Sequence, residues 1–153
     1  MANGQFRNRS WNDRYAEGGM GDEAEGHFEA YCAKKKLGFV RCGLDRPPLS
    51  VGRLPARVRY WPDYLMTRGF VEVQGFGRDQ TMKLKLDKWG VLHYWNDLMP
   101  VELYLWDSTN ERELVIGILE LDAIIDKEPS VTLDRFPEGK AYFAIPSRLL
   151  FGD

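Results

Sequence analysis

Apolar and polar residues change rhythm several times along this chain, and each rhythm implies an element. "DEAEGHFEAYCAKKKLG", from Asp22 to Gly38, sets Ala24, Phe28, Tyr31 or Cys32 and Leu37 near helical spacing, which predicts an amphipathic helix capped by Asp22 and stopped by Gly38. An acidic first turn and Lys34, Lys35 and Lys36 in the last turn suit the helix dipole. "FVRCG" from Phe39 reads as a short strand, and Pro47, Pro48 and Pro55 make "LDRPPLSVGRLPA" a loop. The alternation in "RVRYWPDYLM", the turn "TRG" and the run "FVEVQGF" then predict a β-hairpin turning at Gly69.

The segment "GRDQTMKLKLDKWGVLHYWND" is ambiguous. Met82, Leu84 and Leu86 alternate with Lys83, Lys85 and Asp87 as in a strand, whereas its length and the spacing of Trp89, Leu92 and Trp95 favour a helix. Beyond it, "PVELYLW", "ELVIGIL" and "KAYFAIP" read as strands, "LDAIIDK" as a short helix, "EPSVTLDRFPEG" as a loop and "SRLLF" as a closing turn. This order predicts an α/β fold: a single domain with a mixed central β-sheet flanked by helices. The domain spans 22–153, with a core over 22–106 and C-terminal additions over 107–153, after a flexible or interface-forming segment 1–21.

Composition bounds the size and excludes several chemistries. At 153 residues and 44% hydrophobic, the chain can bury one full core. No apolar run approaches the roughly 18 residues of a membrane span, and the polar start "MANGQFRNRSWNDRY" lacks a signal core, so a soluble, cytoplasmic protein is expected. Cys32 and Cys42 cannot form a tetrahedral zinc site alone and read as buried reduced thiols. His27 and His93 are isolated, which leaves no Ser-His-Asp assembly or histidine metal cluster. "GFGRD" lacks the Lys-Ser/Thr ending of a phosphate-binding P-loop. Trp11, Tyr60, Trp61 and Trp106 read as core residues.

Charge is distributed unevenly. The net charge is −2, yet residues 34–88 carry thirteen basic and five acidic side chains, a block of +8 flanked by −3 and −7. Such a block suits a phosphate-binding face, with Arg53, Arg57, Arg59, Arg78 and Lys88 as candidate DNA contacts. Within it, "PDYLMTRGFVEV" sets Asp63 and Glu72 on the two arms of the hairpin, where pairing can bring both carboxylates to one end of the sheet. A divalent cation such as Mg²⁺ takes one or two carboxylates and keeps waters for substrate phosphate. The two-residue period of a strand turns Gln74 to the same face as Glu72, while the side chain of Val73 enters the core and its backbone carbonyl is available as a ligand. This is the donor pattern for metal-assisted attack of water on a phosphodiester.

Here the sequence resembles the PD-(D/E)XK nuclease superfamily. Pro62 and Asp63, a short hairpin, then Glu72, Val73 and Gln74 match its core motif, with glutamine where the usual pattern has lysine. "GDEAEGHFEAYCAKKKLGFVRCG" is similar to its first helix and strand, and "RDQTMKLKLDKW" to its basic helix; the likeness covers about Asp22 to Trp106 and is nearest in flavour to small phage-encoded RecB-like nucleases and Holliday junction resolvases. The resemblance implies a restriction-endonuclease-like core and a Mg²⁺- or Mn²⁺-dependent endonuclease acting on branched DNA as a homodimer, in the host cytoplasm if phage-encoded. It also implies that Asp63 and Glu72 bind the metal, that Glu25 assists through a water, with Glu23 and Glu29 as alternatives, and that Gln74 orients the nucleophile. Glutamine carries no charge, so another cation must stabilise the phosphate: Lys83 first, Lys85 second. A non-catalytic nucleic-acid-binding or structural module with the same fold is the alternative, and Gln74 is its best support.

Overall fold

The alternating runs in the middle of the chain pair as expected, but the stretches around them do not all keep their local preference. The computed structural model describes residues 20–42 and 53–153. In chain order these form α1 (Met20–Lys35), β1 (Val40–Arg41), α2 (Ala56–Arg59), β2 (Tyr64–Met66), β3 (Gly69–Gly75), β4 (Thr81–Lys85), α3 (Leu86–Leu98), β5 (Val101–Asp107), β6 (Arg112–Gly117), α4 (Ile118–Lys127), β7 (Thr132–Arg135), β8 (Ala141–Pro146) and α5 (Arg148–Phe151).

Five strands form a mixed sheet in the order β1-β2-β3-β5-β6, in which only the β3–β5 pair is parallel. That pairing requires a crossover, supplied by β4 and α3. A second, antiparallel sheet has the order β4-β8-β7. Helix α1 covers one face of the mixed sheet, packing Ala24, Phe28 and Cys32 against Tyr64, Val71, Val73 and Tyr104. The opposite face packs Phe70, Leu103 and Leu105 against Met82, Leu84, Trp89, Leu92, Ile118 and Ile145. The protein is a single-domain α/β fold with its mixed sheet flanked by helices. Because β3 is covered on both sides, every residue of it except Gln74 is buried, and Glu72 enters the interior with its neighbours.

The hairpin turns as expected: Tyr64 pairs with Val71 and Met66 with Gly69. Gly69 has φ +141°, and a Cβ there would lie 2.1 Å from the carbonyl oxygen of Pro100, so only glycine fits.

Elsewhere tertiary contacts override local pattern. Helix α1 begins at Met20, ahead of the expected cap Asp22, and ends at Lys35 with Lys36 in the left-handed region (φ 56°), ahead of Gly38. The expected strand over Arg57–Tyr60 is instead the one-turn helix α2, held to α3 by Trp95 Nε1 donating to the Arg57 carbonyl at 3.2 Å. Thr81–Lys85 is strand β4, because Met82 and Leu84 enter the core while the backbone pairs with β8; the helix starts only at Leu86. Part of the expected loop after α4 is the exposed edge strand β7, recruited by β8. Trp106 is buried and Tyr60 half-buried, but Trp61 is exposed, contrary to its core reading. Cys32 is buried, Cys42 half-buried, and both are free thiols. The expectations for residues 1–19, including Trp11, and for most of the proline-rich loop lie outside the described residues. Among the described residues, no helix is long and apolar enough to cross a membrane.

Candidate active site

Asp63 leaves Pro62 immediately before β2, and Glu72 stands mid-way along β3. The amide of Val73 donates to Asp63 Oδ2 at 2.8 Å, while the Asp63 carbonyl accepts from the amide of Cys42. These bonds fix the aspartate against β3, close enough to Glu72 for each carboxyl to act on the other's charge. Glu72 is 1% exposed. No backbone or neutral side-chain donor among the described residues reaches its oxygens; its cationic partner is the ammonium of Lys88, in direct contact with Oε1. Lys88 lies in the first turn of α3, one turn before the buried Leu92, and therefore points back to the sheet.

Two carboxyls beside one ammonium leave an excess of negative charge in a desolvated space. Burial, then the neighbouring Asp63, push the Glu72 carboxyl up to about 8, with Lys88 opposing. Burial raises Asp63 as well, against the lowering effects of Lys88 and the Val73 amide. Lys88 stays charged: burial would lower its pKa, but Glu72 and Asp63 raise it. Such a cluster lacks positive charge, and hard oxygen donors in that condition suit a divalent cation. Among the described residues no group of three or more His, Cys, Asp or Glu gathers around a common point. The donor set that fits is the carboxylate pair, with remaining positions for water and substrate oxygen.

Other expected site residues fall into place around this pair or away from it. Glu25 pairs with Arg41 at 2.6 Å, and the charge of Arg41 acts on Asp63, so Glu25 connects to the site through an arginine. Glu23 accepts instead from Trp106 Nε1 at 3.4 Å, and Glu29 acts on Tyr64 and Cys32. The Val73 side chain enters the α1 core as expected, and its amide is what binds Asp63. Gln74 lines a cavity of about 340 Å³ with Arg78, Asp79, Thr81 and Lys83.

The cation that meets Glu72 is Lys88, where Lys83 or Lys85 was expected. Lys83 pairs with Asp79 at 3.5 Å and lies near the Tyr142 ring, while Lys85 lies 5.5 Å from the centre of the Phe136 ring. Both are strand residues of β4, whereas the cation that meets Glu72 comes from the helix that follows. Arg57 and Arg59 belong to α2 beside the site, Arg53 is exposed just ahead of it, and Arg78 lines the Gln74 cavity. Arg41 and the role of Lys88 beside Glu72 escape the sequence pattern. The available signal was helical phase: once the helix begins at Leu86, Lys88 falls four residues before Leu92, on the buried face.

No protein-family model, curated protein or solved structure matches this chain.

Proposed function

We propose that the protein is a metal-dependent DNA endonuclease hydrolysing phosphodiester bonds, a PD-(D/E)XK-like enzyme whose lysine has moved from the strand to the next helix. The observation that carries this reading is the buried Glu72–Lys88 ion pair with Asp63 fixed beside it by the Val73 amide. The order of helix, strand, hairpin and following helix along the chain supports the reading. Asp63 and Glu72 would hold Mg²⁺ or Mn²⁺, which when bound would polarise the phosphate and acidify a water. The Val73 amide keeps Asp63 in its ligand rotamer. Lys88, beside Glu72, would offset charge on the phosphate. Gln74 is spared the electrostatic part, and with it Lys83 and Lys85. Branched DNA, a homodimer and a cytoplasmic setting follow from the resemblance alone.

The test is cleavage of branched, duplex and single-stranded DNA with Mg²⁺ or Mn²⁺. Asp63→Ala is expected to abolish it, and Lys88→Met to slow it by about 10²- to 10³-fold. The closed Glu72–Lys88 ion pair favours a second reading, a nucleic-acid-binding module without chemistry; cleavage by the parent protein that Asp63→Ala removes would exclude it.

A further inference from the structure

Beside the carboxylate cluster, α2 and the residues that lead from it to Pro62 carry aromatic and arginine side chains together. Trp61 stacks on Trp95 of α3 with ring centres 4.8 Å apart and planes at 28°, yet remains 36% exposed. The Arg57 guanidinium lies 4.0 Å from the centre of the Tyr94 ring, and that of Arg59 lies 5.4 Å from the Tyr60 ring. Trp61 stands two residues before Asp63, which the Val73 amide holds in the site. The surface is therefore continuous with the site.

Two features make it more than the outside of the core. Among the described residues no carboxylate pairs with Arg53, Arg57 or Arg59, although the chain as a whole has more acidic than basic side chains. The Nε of Arg59 is buried without a hydrogen-bond partner, and its one polar contact, from a terminal nitrogen to the Leu54 carbonyl, is long at 3.4 Å. A buried guanidinium donor without an acceptor is costly, and with only one long bond made, the other donors of the Arg59 guanidinium are left for an anion. Exposed indole beside unpaired arginines matches a strand with unstacked bases: the indole takes a base face and the guanidinium groups take phosphates. In a continuous duplex the bases are stacked on one another and offer no free face.

We propose that Trp61, with Arg57 and Arg59, binds an unpaired DNA strand adjoining the phosphate to be cut, so that the substrate is DNA with a single-stranded arm. This rests on the nuclease reading for the chemistry but not for the binding, and the two are measured apart. In EDTA, fluorescence anisotropy of a labelled oligo-dT of about twenty nucleotides and of a duplex of the same length reads binding alone. Trp61→Ala is expected to weaken oligo-dT binding by about tenfold or more, the loss of one base stack, with less than a twofold change for the duplex; Trp61→Phe, which keeps an aromatic face, restores most of the affinity and shows that the alanine variant did not fail by unfolding. Equal affinity of Trp61→Ala and parent for oligo-dT, or equal weakening for both DNAs, overturns the proposal. With Mn²⁺ added, the parent is expected to cut flapped DNA at least tenfold faster than duplex. Cleavage of both at one rate, unaffected by Trp61→Ala, overturns this proposal and leaves the nuclease reading standing. No cleavage of any DNA together with Trp61-dependent oligo-dT binding removes the nuclease reading and upholds the strand-binding surface.

Discussion

Two buried acidic clusters in this protein are built from the same residue types and behave in opposite ways. Asp107, at the end of β5, is fully buried, yet its oxygens accept from Gln80 Nε2, the Thr109 and Asn110 amides, Asn110 Nδ2 and Arg112 Nε. Burial alone would raise its pKa, but the bonds from Asn110, Gln80 and Arg112 hold it down to about 2. Arg112 extends the network to Asp153, and Gln80 accepts from Ser147, so the cluster ties the two sheets together. Glu72, equally buried, has one lysine shared with a second carboxylate and no neutral donor, and its pKa rises to about 8. A buried charge with its donors complete is a fastener. A buried charge short of them is waiting for a partner, which is the condition of a ligand site.

Isosteric amides should separate the two. Glu72→Gln removes the carboxylate without changing shape; cleavage is expected to fall at least about 10³-fold, in line with several kcal/mol of lost metal assistance, while thermal unfolding shifts little. Asp107→Asn should do the reverse, costing about 2 to 3 kcal/mol of stability by chemical denaturation with the rate per folded molecule kept. If Glu72→Gln proves the more destabilising of the two, the contrast is wrong.

Acidity offers the next largest effect, with opposite signs. A carboxyl raised from 4.5 to about 8 by folding stabilises the protein below pH 4.5, and that contribution is lost as pH rises to 8. Asp107, lowered from 3.8 to about 2, contributes above pH 3.8 and loses it as pH falls toward 2. Metal-free stability measured against pH should therefore decline on both sides, with Glu72→Gln flattening the high side and Asp107→Asn the low side. If Glu72 binds Mg²⁺ as proposed, the ion must displace its proton, so the stabilising effect of Mg²⁺ should grow as pH rises to about 8 and level off above. At 100 times Kd that effect is about 2.7 kcal/mol. The smallest change is expected from Lys83→Ala and Lys85→Ala, each less than about tenfold in cleavage rate because Lys88 is the cation paired with Glu72; a loss as large as that of Lys88→Met would return the role to β4.

Local pattern carried the fold where packing and propensity agree. The hairpin, β5, β6, α4 and β8 all stand where alternation or helical spacing put them, since each buries the residues its period selects. It failed where a neighbour decides. Arg57–Arg59 alternate like a strand but coil against α3, Thr132–Arg135 look like loop but complete a sheet edge, and Lys83 and Lys85 flank core residues of a strand that only β8 makes visible. The same error moved the expected cation. Lys88, expected as a DNA contact, instead lies in the first turn of α3 and faces Glu72.

By itself the sequence determined that Asp63 and Glu72 lie on paired arms of one hairpin, because a two-residue turn at a glycine and a two-residue side-chain period are short-range constraints. Which lysine answers them was decided only in three dimensions. The parallel pairing of β3 with β5 forces the chain over the sheet through β4 and α3, and that crossover buries Glu72 and lowers Lys88 onto it. Burial and charge pairing over sixteen residues of chain depend on where the crossover packs, which no local period encodes.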